Sequence, residues 1–152
     1  MSNLPRVAAT GERKGFQARQ FQKAEERVEA ALQGELEPGE TLRTWIYGRV
    51  RPSFRSHLIL GPVIAPFRTR FYFVALTDRR VFVLRSAMRA IMPTNVEWAE
   101  PHTGVTVAQY KPGLLTRLYL HRVADGSELS LQVGRPFREQ TLEIARALGA
   151  AV

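Results

Sequence analysis

The feature that most constrains the fold is a long stretch of two-residue periodicity. Over residues 40–133, short runs of alternating apolar and polar side chains follow one another, separated by turn-forming residues. Alternate side chains of a strand point to opposite faces of a sheet, so the pattern predicts consecutive antiparallel strands. The chain has 152 residues and no cysteine, which fits one domain of ordinary size that folds without disulfides.

Turn signals divide this stretch into seven strands. Residues 77–80 join two continuous apolar runs and predict a hairpin of central strands, and Asp125-Gly126 predicts a second hairpin. Seven antiparallel strands leave open edges unless they close into a barrel or pair as two sheets, so a mainly β sandwich or barrel is expected. The predicted strands cover residues 42–50, 71–76, 81–84, 96–100, 104–109, 114–123 and 129–133.

Helical periodicity lies on both sides of the strands. The first segment, 16–34, predicts an amphipathic helix that ends at Gly34, preceded by a flexible arm over residues 1–15. A second helix is expected to begin near Pro136 and to end at Gly149, which completes a domain over residues 40–150. Each helix has an apolar stripe: Phe21, Ala24, Val28, Ala31 and Leu32 in the first, and Phe137, Thr141, Ile144, Ala145 and Leu148 in the second.

The net charge of +8 is concentrated in the middle of the chain. Between Arg43 and Pro93 there are ten arginines and a single acid, Asp78, while the remainder is close to neutral. A genome rich in G and C accounts for many arginine codons, but it does not account for the missing acids. The distribution therefore directs the search for an anionic partner to this central block.

Several chemistries lack their sequence signals. There is no glycine-rich phosphate loop, and His57, His102 and His121 lie far apart without metal-motif spacing. We therefore expect no enzyme, no metal and no cofactor. The N-terminus has no apolar core of a secretory signal, and the longest apolar run, of about ten residues, is half of what a membrane-spanning helix needs. These features predict a cytoplasmic protein.

Seven short strands, a long loop after the first and a C-terminal helix resemble the pleckstrin-homology superfold. The segment 73–84, in which Thr77-Asp78-Arg79-Arg80 joins two apolar strands, resembles more specifically the bacterial PH-like, GRAM-related domains. This resemblance implies a bent β-sandwich capped by the terminal helix. It also implies a structural hairpin, in which Thr77 and Asp78 bond their own backbone and Arg79 and Arg80 project at the tip. Many bacterial members have no assigned ligand, and some resemble parts of ring-like assemblies.

Eukaryotic members that bind phosphoinositides carry a basic-x-Arg-x-aromatic run on the second strand, which residues 68–72 match. This sequence departs from the eukaryotic pattern in two ways: an arginine replaces the leading lysine of the run, and the terminal helix has no tryptophan. The loop between the first two strands is the candidate contact site, because apolar residues in a surface loop are expected to be buried against another surface. Its anion-binding candidates are Arg49, Arg51, Arg55, Arg68 and Arg70, and its apolar candidates are Leu58, Ile59, Leu60, Val63, Ile64 and Phe67.

Two aromatic residues of the first strand, Trp45 and Tyr47, alternate with its apolar residues Leu42, Ile46 and Val50. They are expected either to lie beneath the N-terminal helix or to anchor an interface. The leading hypothesis is a non-enzymatic module that binds a protein partner or assembles with itself through this helix and the apolar loop. Peripheral binding to anionic lipid at the inner face of the membrane is the alternative. Nucleic-acid binding is the third hypothesis, and no small-molecule substrate is identified.

Overall fold

Seven antiparallel strands and two helices make up the part of the chain that the structure, a computed structural model, describes. The described residues are 12–50, 70–87 and 92–151, with side chains from residue 18 onward. The expected mainly β fold with a C-terminal helix is confirmed. In chain order the elements are α1 Glu12–Leu32, β1 Leu42–Val50, β2 Arg70–Thr77, β3 Arg80–Ser86, β4 Pro93–Pro101, β5 Val105–Lys111, β6 Thr116–Arg122, β7 Glu128–Val133 and α2 Arg138–Ala147.

The strands form a single open sheet in the order β4-β3-β2-β1-β7-β6-β5. The pairing of β1 with β7 is short and consists of Gly48 with Val133 and Arg49 with Gln132. A β-carbon on Gly48 would lie 2.9 Å from the carbonyl oxygen of Gln132, so the approach of the two backbones requires glycine. The sheet therefore consists of two halves, β1–β4 and β5–β7, joined at one narrow contact.

Helix α1 covers the outer face of the first half of the sheet. Its predicted apolar stripe is confirmed, because Ala24, Val28 and Leu32 are buried and pack against aromatic and aliphatic side chains of the sheet. Phe21 continues this contact, with its ring centre 4.9 Å from that of Trp45. Full burial of a valine or leucine side chain stabilises the fold by about 1.5–3 kcal/mol, so α1 is held by packing. The partners on the sheet are Trp45, Phe73, Ala75, Phe82 and Leu84.

The inner faces of the two halves enclose the main core together with α2. Ile144, Ala145 and Leu148 of the predicted stripe are buried there. The expected stop at Gly149 is confirmed: its φ is 90°, and the amide of Ala150 donates to the carbonyl of Ala145 at 2.9 Å. The strand residues of this core are Ile46, Val74, Leu76, Val81, Val83, Val105, Leu118, Leu120, Leu131 and Val133.

Several predictions for single elements differ from the structure. Strand β4 begins at Pro93 and not at residue 96, and β6 begins at Thr116 and not at Leu114, so that Leu114 and Leu115 belong to the preceding turn. Helix α1 begins at Glu12, earlier than residue 16, because the polar residues that precede Phe16 carry no apolar signal. Leu42 was expected on the face of Ile46, but it packs with the α1 side of the sheet. A register shift between Leu42 and Thr44 breaks the alternation at the start of β1.

Candidate functional site

The segments that connect the strands lie at two opposite ends of the sheet. One row of paired residues crosses the sheet near the ends of its strands: Asn95, Arg85, Tyr72, Gly48, Val133 and Thr116. Residues at this end of the strands are called the loop edge, and those at the opposite end of the strands the turn edge. Both terms refer to strand ends and not to the outermost strands, β4 and β5. The loop edge comprises 48–50, 70–72, 85–87, 92–95, 111–117 and 133–135, and the turn edge comprises 35–42, 77–80, 100–105 and 122–128.

Charge is divided unevenly between these two edges. The described residues of the loop edge include six basic residues and no aspartate or glutamate, whereas those of the turn edge include seven acids and three arginines. The charges therefore polarise the sheet along its strands. The basic residues of the loop edge are Arg49, Arg70, Arg85, Lys111, Arg117 and Arg135, and the acids of the turn edge are Glu35, Glu37, Glu40, Asp78, Glu100, Asp125 and Glu128.

The arginines of the loop edge keep most of their charge uncompensated. Arg49 donates through Nε to the amide oxygen of Gln132 at 3.2 Å, and this partner is neutral. Arg85 reaches Glu97, a residue outside the loop edge, only at 4.0 Å. Arg70 is exposed at the start of β2. The edge can thus attract an anion without first breaking strong ion pairs.

Exposed apolar side chains gather at the same end of the sheet. Three of the four large apolar residues that are exposed in the described part of the chain belong to the loop edge, namely Met92, Leu114 and Leu115. Leu114 is the most exposed of them at 81%, and it lies in the turn between β5 and β6. The fourth, Val123, lies at the turn edge and is 56% exposed. The loop edge therefore combines cations with apolar surface.

The hairpin between β2 and β3 has a structural role at the turn edge. The hydroxyl oxygen of Thr77 accepts from the amides of Arg79 at 3.2 Å and Arg80 at 2.8 Å, as the resemblance implied. Thr41 and Asp78 add reciprocal bonds, because the amide of Thr41 donates to Oδ1 of Asp78 at 2.9 Å and the amide of Asp78 donates to the carbonyl of Thr41 at 3.1 Å. These bonds join the hairpin to the start of β1.

The two arginines of this hairpin do not project freely. Arg80 folds back and holds the buried carboxylate of Glu40 with Nη2 at 2.5 Å and Nε at 3.1 Å, and its guanidinium lies over the ring of Phe82. Arg79 pairs with Glu37 at 3.3 Å. The expectation that both project at the tip is wrong for Arg80, because the buried carboxylate of Glu40 lies within reach of it. Arg79 remains about half exposed at the tip.

Glu40 is the most strongly perturbed acid of this cluster. Hydrogen bonds from Arg80, and then from Thr77 and the amide of Glu37, lower the pKa of Glu40 from 4.5 to about 2 against the opposing effect of burial. Its side chain is fully buried. Each oxygen has its partners within the protein, so this cluster stabilises the fold and offers no open position to a substrate.

A second ion-pair cluster of the turn edge is also internally satisfied. Arg122 contacts the carboxylate of Glu100 at 2.7 Å and that of Asp125 at 3.2 Å, and it lies over the ring of Trp98. Ser127 holds Asp125 in turn, as the predicted hairpin requires. Acids of the turn edge therefore neutralise its arginines, which leaves the loop edge as the basic end of the sheet.

The predicted site residues divide between the described and the remaining parts of the chain. Arg49 and Arg70 both belong to the loop edge, on strands that pair through Val50 and Arg70. The remaining predicted residues of the loop after β1 lie outside the described residues. They are Arg51, Arg55, Arg68, Leu58, Ile59, Leu60, Val63, Ile64 and Phe67, and the arm over residues 1–11 lies outside as well.

The two aromatic residues of β1 lie on the side of the sheet covered by α1. Trp45 is 3% exposed beneath this helix, which is one of the two positions expected for it. Tyr47 is half-buried and stacks on Phe71 with ring centres 5.5 Å apart, and burial raises the pKa of its hydroxyl. Neither ring belongs to the apolar surface of the loop edge.

The central basic block is not one surface in the folded chain. Of its described arginines, Arg79 and Arg80 pair with carboxylates at the turn edge, and Arg43 pairs with Glu143 of α2 at 3.4 Å. Three cations from outside the block join the loop edge instead: Lys111, Arg117 and Arg135. Sequence reasoning missed these three because strand register, which brings them to this edge, is not visible in charge counts. The Leu114-Leu115 pair directly after Pro112-Gly113 was the available signal, but it was predicted to begin a strand.

Two other features of the described chain are a hydrogen-bonded histidine and an open groove. Nε2 of His102 donates to the carbonyl of Thr77 at 2.9 Å, and no cluster of histidine and acidic side chains in the described residues could hold a metal ion. A groove of about 540 Å³ between β1 and α2 is open to solvent. Its charged residues are two arginines and two glutamates, with Arg43 and Glu143 paired across it.

Comparison of the sequence with protein-family models and with curated proteins gives no match in either case. Neither described helix is long and apolar enough to span a bilayer.

Proposed function

We propose that this chain is a non-enzymatic, PH-like binding module that docks its loop edge on an anionic phospholipid membrane. The order of the seven strands and the C-terminal helix support the PH-like assignment. The observation that carries the functional proposal is the gathering of six cations, without an acid, beside exposed apolar side chains at one end of the sheet. The protein is cytoplasmic and peripheral at the inner face of the membrane, with no cofactor.

Electrostatic attraction supplies the first part of the binding energy. A cation close to an anionic membrane surface contributes about 1 kcal/mol, so six of them supply roughly 6 kcal/mol at low salt. At physiological salt the Debye length of about 8 Å reduces the contribution of those farther from the lipid. The acids of the turn edge are repelled by the same surface. The two effects together orient the domain with its loop edge toward the membrane.

The described apolar surfaces favour lipid over a protein partner bound through α1. The stripe of α1 that the leading sequence hypothesis offered to a partner is buried against the chain's own sheet. At the loop edge, by contrast, Leu114 and Leu115 remain exposed between Lys111 and Arg117, and Met92 is exposed before the start of β4. A bilayer interface accommodates both kinds of side chain, because phosphates lie directly above the acyl chains. Nucleic acid would satisfy the cations and leave these aliphatic side chains without a partner.

Sedimentation with vesicles tests the proposal. The full chain is mixed with phosphatidylcholine vesicles and with equal mixtures of phosphatidylcholine and phosphatidylglycerol, at low and high salt. We expect binding to the anionic vesicles only, with loss at high salt. The charge reversal Lys111→Glu with Arg117→Glu is expected to weaken binding by at least about thirtyfold, since losing two cations alone removes ~2 kcal/mol.

The matched control carries the same change of charge on the exposed side of α1, as Arg19→Glu with Lys23→Glu. This control is expected to bind nearly as the native chain does. Equal loss in both variants would show that only net charge matters and would refute the loop edge as the site. Light scattering on the same samples reports self-assembly, and a mobility shift with a single-stranded oligonucleotide reports nucleic-acid binding. A concentration-dependent oligomer without vesicle binding would favour the assembly hypothesis.

A further inference from the structure

The turn between β5 and β6 has the anatomy of a membrane-inserting tip. Leu114 and Leu115 are exposed within it, and Thr116 and Leu118 of the following strand β6 are buried in the sheet. Strands β5 and β6 pair up to Lys111 and Arg117, so the turn begins directly after the last pair of the ladder. An exposed apolar tip on a well-anchored hairpin contributes nothing to the core of this domain.

The base of this turn carries a like-charge pair. Lys111 and Arg117 are directly opposite each other on the two strands, where like charges destabilise a sheet, and both are exposed. The described part of the loop edge contains no carboxylate that could offset this repulsion. An anionic surface removes the cost, because each cation then has phosphate neighbours. The pair is thus unfavourable in the isolated domain and favourable at a membrane.

Resting on the proposed function, we infer that residues 112–115 enter the bilayer, with Leu114 and Leu115 at the acyl boundary and Lys111 and Arg117 at phosphate level. The spacing fits this depth: Leu115 lies two residues beyond Arg117, which is about 7 Å along an extended chain, and interfacial segments bury their apolar side chains by roughly 5–10 Å. The insertion adds apolar attraction to charge and fixes the orientation of the domain.

A protein partner fits this tip less well because the tip is small. Two leucines bury on the order of 200 Å² of apolar surface, whereas specific protein interfaces bury about 1,200–2,000 Å². The cations around the tip have no acid among them, so a protein surface that matched it would need a dense acidic rim. A lipid bilayer supplies anions at that height without a specific partner surface.

The chain lacks cysteine, so a single introduced cysteine carries a fluorophore at one known position. We compare Leu114→Cys with Val123→Cys, both labelled with an environment-sensitive dye. Val123 is the matched control, since it is an exposed apolar residue in the turn between β6 and β7 at the turn edge. With anionic vesicles, the dye at position 114 is expected to shift to the blue and to be quenched by bromine-labelled lipid. The dye at position 123 is expected to remain in water.

Affinity gives a second readout of the same tip. Leu114→Asp is expected to weaken binding to anionic vesicles by about tenfold or more, and Val123→Asp by much less, with the circular dichroism of both unchanged because both positions are exposed. Vesicle binding with a dye at position 114 that stays in water would overturn the insertion and leave the proposed function standing. No binding of the native chain to anionic vesicles would overturn both. A shift of the dye at position 114 with protein concentration, before vesicles are added, would assign the tip to self-association and overturn the insertion.

Discussion

Replacing Glu40 by glutamine tests the reasoning about the turn edge. The carboxylate of Glu40 is fully buried and accepts from Arg80, Thr77 and the amide of Glu37. Glutamine has nearly the same shape, but it lacks the charge and turns an amide group with two hydrogens toward donors. The substitution therefore leaves the guanidinium of Arg80 without its anion and one or more donors without an acceptor.

The size of the effect follows from the pKa of Glu40. Its fall from 4.5 to about 2 corresponds to ~3 kcal/mol, at about 1.4 kcal/mol for each pKa unit. Because the pKa is lower in the folded state, this stabilisation is complete well above pH 4.5 and is lost as the pH falls toward 2. Near pH 3, less than about half of it remains. The difference in the free energy of unfolding between Glu40→Gln and the native chain should therefore decrease as the pH is lowered.

Urea unfolding at neutral and acidic pH, followed by circular dichroism, measures this difference. The control is Glu37→Gln, because Glu37 is exposed and its pair with Arg79 should contribute less than about 1 kcal/mol. We expect Glu40→Gln to lower the free energy of unfolding by about 3 kcal/mol at pH 7. A loss no larger than that of Glu37→Gln, or one that does not change with pH, would refute the structural role assigned to this cluster.

Two further substitutions test other parts of the fold by thermal unfolding. Gly48→Ala should lower the free energy of unfolding by about 1–3 kcal/mol, because the new β-carbon meets the carbonyl oxygen of Gln132. The control Gly34→Ala, with open space around it, should leave the free energy of unfolding nearly unchanged. Equal effects of the two substitutions would contradict the close approach of β1 and β7. Burial, followed by repulsion from Glu29, raises the pKa of Glu25 on α1. Ionised Glu25 therefore destabilises the fold, so Glu25→Gln should be more stable than the native chain at neutral pH. This difference in stability should disappear as the pH falls through the raised pKa of Glu25. A gain in stability that does not depend on pH would contradict this explanation.

Local signals made much of the fold predictable. Thr77, Asp125 and Gly149 each carry the chemistry of the turn or helix end where they lie, and the alternating pattern gave all seven strands. These features depend on neighbours within a few residues. The sequence therefore contained the information needed to place them.

The partners of charged residues were less predictable because they depend on strand register. Arg80 binds Glu40, forty positions away, across a contact that exists only when β1 and β3 flank β2. Leu42 changes face through one register shift that no residue type signals. For the same reason the loop edge, built from six segments, was only partly predicted: Arg49 and Arg70 were identified, and Lys111 and Arg117 were not.

Hydrogen exchange of the full chain, with and without anionic vesicles, reports which end of the sheet meets the membrane. Amides of residues 113–115, in the turn between β5 and β6, and of the flanking strand ends should exchange more slowly when vesicles are present. Amides of the turn at residues 123–127, at the opposite end of β6, should exchange at the same rate in both samples. Protection at residues 123–127 or along α1, with none at residues 113–115, would refute the docking of the loop edge on the membrane.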